Sequence, residues 1–188
     1  MRITITAIFS VIVLVVIFFC LDSKWHFKNG RSRLDSNVSA DLERLGDAAI
    51  TTLDVPVAAL LLYNNNIIGE GYNTVRRDML AGGHAEINAI SFAIRRAGGL
   101  DSFMNMDRKK LTLITTWEPC YMCQGAIVEY DIRHVIIIKS KPLLHWFRKW
   151  EQLEIYKWNK QEAVPDSLQD KLFRKHPFFE QEKARSDF

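Results

Sequence analysis

Four residues have the types and spacing for one particular chemistry. His84 and Glu86 stand in His84-Ala85-Glu86, and Cys120 and Cys123 in Glu118-Pro119-Cys120-Tyr121-Met122-Cys123. One imidazole and two thiols are three soft donors for a tetrahedral zinc, and a site with three protein ligands leaves its fourth position to water, as catalytic zincs do. Zinc lowers the pKa of a bound water from about 15.7 to roughly 7, so a nucleophile exists near neutral pH. Glu86 is left over as a proton carrier. It can take a proton from the water, pass it to a ring nitrogen of a substrate and later help protonate a leaving amine. The sum is hydrolytic deamination of an amidine-like carbon, such as C4 of cytosine or C6 of adenine. A lone His-x-Glu or Cys-x-x-Cys means little, but their conjunction is specific. The plainer account, two buried cysteines and a satisfied core histidine, is much the weaker one.

The elements needed to position these residues are legible too. After His84, apolar residues at Ile87, Ile90, Ala93 and Ile94 have helical spacing, and Gly98-Gly99 stops the helix. Pro119 suits the first turn of a second helix that runs to about Asp131. All three donors then sit at helix N-termini, where the partial positive charge favours thiolate. Ser36 or Ser39 is expected to cap an earlier helix. The apolar run 57–63, the turn Asn64-Asn65-Asn66 and a second run from Ile67 read as a β-hairpin whose first strand is buried on both faces. Residues 73–83 form a loop that must close over the pocket. Residues 101–110 read as a surface connection, 111–117 and 134–139 as strands, 142–150 as a helix begun by Pro142, and 153–158 as a fifth strand. A last helix is capped by Asp166 or Ser167. Strands alternating with helices call for a sheet covered on both faces.

The chain has 188 residues, 48% of them hydrophobic, and a formal net charge of +3, which is too small to argue for a polyanionic partner by itself. Its three cysteines are Cys20, Cys120 and Cys123; with two assigned to metal, no disulfide framework is suggested. Residues 3–21 carry no charge and are about long enough to cross a bilayer as a helix. Phe18-Phe19-Cys20-Leu21 offers no small-residue cleavage site, so an uncleaved single-pass anchor is expected in preference to a signal peptide. Lys24, Lys28, Arg31 and Arg33 on its C-terminal side would place the remainder of the chain in the cytoplasm.

From about residue 55 to 176 the chain resembles the cytidine/deoxycytidylate deaminase superfamily, and within it the branch of tRNA-adenosine, guanine and cytosine deaminases. The resemblance lies in VPVAALLLYNNNIIGEGYN, HAEINAI and TTWEPCYMCQGAIVEYDIRHVI, and in the order of elements. It implies a three-layer α/β/α sandwich with a five-stranded mixed sheet, to which this chain adds an N-terminal transmembrane helix. It implies one zinc ion on His84, Cys120 and Cys123, proton shuttling by Glu86, base contact from Asn73, backbone amides of Ala85 and Cys120 at the reacting centre, and a homodimer. Two departures stand out. The branch usually has Asp-Pro-Thr-Ala before its histidine, where this chain has Leu80, Ala81, Gly82 and Gly83; and Trp117 stands where a smaller aliphatic is usual and would narrow or stack on the substrate. Both bear on substrate identity and not on reaction type.

The organisation expected is an anchor over 1–22, a basic tether over 23–37, a deaminase domain over 38–178 and a charged tail over 179–188. The function expected is zinc-dependent hydrolytic deamination of a nucleobase, nucleoside or nucleotide. The alternatives are a nucleic-acid base deaminase, such as one acting on tRNA, and a non-catalytic module stapled by zinc. The C-terminal aromatics Trp146, Phe147, Trp150, Tyr156 and Trp158 are read as core and interface and not as a base-stacking platform, because they fall at helical or strand spacing, and the charges of the tail are mixed in sign, without the one-signed stripe of a polyanion binder.

Overall fold

The computed structural model describes residues 13–14, 31–141, 159–164 and 167–178. Six strands form one mixed sheet: β1 (Arg31–Arg33), β2 (Ala58–Tyr63), β3 (Asn66–Tyr72), β4 (Leu111–Trp117), β5 (His134–Lys139) and β6 (Asn159–Val164), in the order β1-β6-β5-β4-β2-β3. The pairs β1–β6, β6–β5 and β5–β4 are parallel, while β2 runs antiparallel to both β4 and β3. The helices are α1 (Ser36–Thr51), α2 (Val75–Asp78), α3 (Ala85–Arg96), α4 (Leu100–Met104), α5 (Tyr121–Glu129) and α6 (Ser167–Lys175).

Alternation along the strands splits the core into two halves. Ala59, Leu61, Leu113, Val135 and Ile137 face the cluster built by Ala85, Ala89, Ile90 and Ala93 of α3, Phe103 of α4 and Ile127 of α5. Ala58, Leu60, Leu62, Ile114 and Ile138 face the other cluster, with Leu42 and Leu45 of α1. Because β2 is covered on both faces, its run Ala-Ala-Leu-Leu-Leu has no polar alternation. Leu60 and Leu61 are each wholly buried, and each such side chain stabilises the fold by roughly 1.5–3 kcal/mol.

The hairpin turn fits its sequence, since Asn64 and Asn65 have φ of 49° and 63°, the left-handed region that Asn tolerates. Gly98 and Gly99, with φ of 88° and 127°, close α3, their amides bonding back to Arg95 and Ile94. A methyl at Gly71 of β3 would collide with the Ala85 oxygen and Ala89 nitrogen, so glycine is what lets the sheet approach the first turn of α3. That turn carries His84 and Glu86.

Several expectations are corrected. Among the described residues the sheet has six strands, not five. β1 lies within the expected tether, and β6 reads Asn-Lys-Gln-Glu-Ala-Val; in both, ladder pairing and not an apolar pattern makes the strand. The strand expected at 153–158 and the helix begun by Pro142 lie outside the described residues, as do Trp146, Phe147, Trp150, Tyr156 and Trp158. Asp35, not Ser36 or Ser39, caps α1, its carboxylate accepting from the Asn37 amide at 2.8 Å. The supposed surface connection after α3 holds α4, whose Phe103 is fully buried in the core.

The transmembrane helix and the single-pass membrane placement are also corrected. No helix of the described residues is long and apolar enough to cross a membrane. Of residues 3–21 only 13–14 are described, and the others lie outside the described residues. An uncharged run of sufficient length is a necessary condition for a spanning helix and not a sufficient one.

Candidate active site

Two helix starts converge on one point. His84 is the N-cap of α3 and Cys120 the N-cap of α5, both with extended backbone (φ −76°, ψ 151° and φ −73°, ψ 172°), while Cys123 is the third residue of α5. Pro119 therefore lies just outside the helix and not in its first turn. Glu118, fully buried, fixes this entry: its carboxylate accepts from the Lys141 amide at 2.7 Å, and its own amide donates to the Lys139 oxygen at 3.0 Å.

His84 Nδ1 lies 3.5 Å from the Cys120 sulfur and 3.6 Å from the Cys123 sulfur, and the two sulfurs are 3.6 Å apart. Bonds of about 2.3 Å to sulfur and about 2.0–2.1 Å to nitrogen at tetrahedral angles would separate sulfur from sulfur by about 3.8 Å and sulfur from nitrogen by about 3.6 Å. The triangle thus has the edges of a tetrahedral zinc face, and the donor set fits the metal. Among the described residues this is the one group of three His, Cys or acidic side chains able to hold an ion.

The electrostatics suit a cation. Hydrogen bonding between the sulfurs holds Cys120 down to about 3, with help from His84, and the same pairing together with burial pushes Cys123 up. His84 is raised, first by its hydrogen bond with Cys120. Glu86 is 3% exposed, and burial pushes its carboxyl up. Its Oε2 lies 3.3 Å from the Cys123 sulfur, and its Oε1 lies 3.1 Å from the hydroxyl of Thr115.

A cavity of about 290 Å³ opens beside these groups. Asn73, Ala85 and Trp117, the three expected substrate contacts, all line it together with His84, Glu86 and Cys120; Cys123 lies behind, fully buried. Asn73 also caps a turn, its Oδ1 accepting from the Val75 amide at 3.1 Å, which turns the amide nitrogen the other way. Trp117 packs edge-on against Phe173 of α6, with ring centroids 5.4 Å apart, so it is a wall braced from behind.

The loop 73–83 is tied at its base. The Thr74 amide donates to the Gly83 oxygen at 2.7 Å, and Asn88 of α3 donates to the Tyr72 oxygen at 2.8 Å and the Thr74 hydroxyl at 3.1 Å. Its tip is open, with Met79 92% and Leu80 59% exposed.

Sequence reasoning missed Asp54 and Thr115. Asp54 is fully buried and accepts from the amides of Arg76 at 2.6 Å and Arg77 at 3.2 Å, and from the Thr52 hydroxyl at 2.7 Å, so it holds the start of α2 against the end of α1. Thr115 carried a signal: it is polar at a core-facing position, two residues from Leu113 and from Trp117.

Among known proteins, the model of the cytidine and deoxycytidylate deaminase zinc-binding region matches residues 34–139. A protein of Buchnera aphidicola subsp. Schizaphis graminum named tRNA-specific adenosine deaminase is 34% identical over 97 residues, covering 48% of this chain and 60% of the relative. A like-named protein of Haemophilus influenzae is 36% identical over 109 residues, covering 56% of this chain and 58% of that one. The chain thus spans about 60% of the length of these curated relatives. A solved structure from work on A-to-I editing by tRNA:A34 deaminases superposes with a TM-score of 0.61 at 21% identity, covering 73% of this chain and 99% of that one, a likeness of fold. The family match covers over half of the chain and takes in every donor of the triad, and on that ground the chain belongs to the zinc-binding cytidine and deoxycytidylate deaminase family.

Proposed function

We propose that the chain is a zinc-dependent hydrolytic deaminase that replaces an exocyclic amine of a nucleobase by a carbonyl and releases ammonia. The observation that carries this reading is the place of Glu86: a buried carboxyl beside three zinc donors, at the wall of a cavity, and not itself one of the donors. A zinc used only as a staple has no need of it, which weighs against a non-catalytic module.

When bound on His84, Cys120 and Cys123, zinc supplies Lewis acidity that brings water into the range where it ionises near neutral pH. The chain's own groups do the rest. Glu86, on the face away from Thr115, carries one proton of the attacking water to a ring nitrogen as the C–O bond forms. It then carries the second, from the added oxygen, to the amine as the C–N bond breaks and ammonia leaves. The Ala85 and Cys120 amides line the reacting centre, the Asn73 amide meets the base edge, and Trp117 closes the cavity against water. We assign the catalytic unit to residues 38–178, together with β1 and the capped first turn of α1 that lie just ahead of them.

A base inside RNA is the second reading, favoured by the names of the relatives; the space suits a single base, with any sugar and phosphate outside. The deciding experiment is ammonia release by the full-length, zinc-loaded chain on cytosine, cytidine, deoxycytidylate, guanine, adenine, adenosine and a stem-loop RNA with an unpaired adenosine. Turnover of at least one is expected. Turnover of the RNA alone, weakened by salt, selects the second reading, and turnover of none overturns both.

The same reading includes a homodimer, supported by α5. Its inward face is buried, yet Tyr121, Met122 and Val128 are each just over 40% exposed, and Gly125 between them leaves open space. A helix apolar all round belongs in an interior. Wild type should sediment as a dimer at micromolar concentration, and Val128→Lys as a monomer; a wild-type monomer would remove this part of the reading.

A further inference from the structure

Glu86 is held between two neighbours. Its Oε2 faces the sulfur of Cys123 at 3.3 Å, on the side of the zinc donors, and its Oε1 lies 3.1 Å from Thr115 Oγ1. Thr115 is wholly buried in β4, at a position that the alternation Leu111, Leu113, Trp117 assigns to the core. A hydroxyl there costs free energy unless it is hydrogen-bonded. It has two partners, Glu86 Oε1 and, also at 3.1 Å, the carbonyl oxygen of Trp117. A hydroxyl has one hydrogen and two lone pairs, so it can donate to Oε1, or donate to the Trp117 oxygen while accepting on its Glu86 side. Either way the contact holds the carboxyl in one place, and the β-branched side chain is itself stiff about χ1.

We propose that Thr115 is a positioning residue whose hydroxyl pins Oε1 so that Oε2 stays turned toward the zinc donors; this rests on Glu86 acting as the proton carrier. The terminal torsion of a glutamate is broad. Without the hydroxyl the carboxyl rotates away from the line between water and substrate, and a misplacement of about 1 Å can cost on the order of 100-fold in rate. Thr115 touches no substrate and acts only through Glu86.

The test uses full-length, zinc-loaded wild type, Thr115→Val, which keeps the shape and removes the hydroxyl, and Thr115→Ser, which restores it. On whichever compound of the panel wild type turns over, Thr115→Val should lower kcat by roughly 10- to 100-fold with KM within about twofold, while Thr115→Ser returns kcat to within about threefold. Zinc content should be equal in all three. Crystal structures of the same proteins give a readout independent of turnover: the Glu86 carboxyl stays in place in wild type and Thr115→Ser and is turned or split in Thr115→Val. An unmoved carboxyl in Thr115→Val, an unchanged kcat, or a serine variant as slow as the valine one overturns the proposal. Should Thr115→Val not fold, Thr115→Ala carries the same expectations. If wild type turns over nothing, the deaminase reading fails on its own, and the carboxyl position still decides the role of Thr115.

Discussion

Replacing Glu86 by Gln should leave a folded, zinc-loaded protein whose ammonia release is slower by about 10² to 10⁴-fold, the range that a positioned acid–base group contributes. The substitution is nearly isosteric, and the amide can still meet Thr115 Oγ1 and fill the site between β4 and α3. What it removes is the ability to accept and return a proton beside the cavity. The zinc donors His84, Cys120 and Cys123 remain, so metal content should be unchanged. Loss of activity together with loss of zinc would mean that the variant had damaged the site and not the proton path. Activity within tenfold of wild type would sink the role given to Glu86.

The same substitution should alter stability in a direction fixed by burial. Desolvation raises the Glu86 carboxyl in the zinc-free chain above its ordinary value near 4.5. A carboxyl raised on folding binds more protons in the folded state, so stability falls as pH rises through that window. Zinc-free Glu86→Gln should therefore melt higher than zinc-free wild type at neutral pH, and the gap should close as pH drops below the unfolded value. A melting curve at several pH values reads it directly. Such a gain at the expense of turnover is the trade expected where a buried acid is retained for chemistry.

How much of this was legible depended on the distance over which each residue's role is set. The candidate zinc donors and the proposed proton carrier could be picked out by residue type and spacing, because a helix start brings residues three apart to one side and a metal restricts the donor types. The hairpin at Asn64-Asn65 and the doubly buried β2 are also local facts of pattern. Asp54 was not legible: its meaning lies in amides 22 and 23 residues away, and nothing local says that a carboxylate after α1 will cap α2. Thr115 was half legible, as a polar residue in an apolar stripe whose partner arrives from another element. β1 and β6 had no pattern to read, since their place comes from backbone pairing, β1 at one edge of the sheet and β6 between β1 and β5. The uncharged run at residues 3–21 misled for the opposite reason: its composition met a length rule that the described helices do not bear out.

Zinc uptake should release protons, and the affinity should weaken as pH falls. A zinc ligand must be thiolate or neutral imidazole. Cys120, held to about 3 by its pairing with Cys123 and His84, is already thiolate at neutral pH and contributes no proton. Cys123 is pushed up by that same pairing and by burial, so it enters as a thiol and gives up one proton when metal binds. His84, raised by its bond with Cys120, adds a second release toward acid pH. The apparent dissociation constant should thus rise about tenfold per pH unit lost while one proton is exchanged, and more steeply where His84 also carries one. Titration calorimetry in two buffers of different ionisation enthalpy counts the protons, and chelator competition from pH 8 to 6 gives the slope. Cys123→Ala should abolish stoichiometric zinc and lower the melting temperature to that of the chelated protein, because binding energy at such a site is also folding energy. Uptake with no proton release and no pH dependence would mean that both sulfurs are thiolate before metal arrives. That would leave two adjacent negative charges 3.6 Å apart in a largely buried site, a cost that the pairing of one thiol with one thiolate avoids.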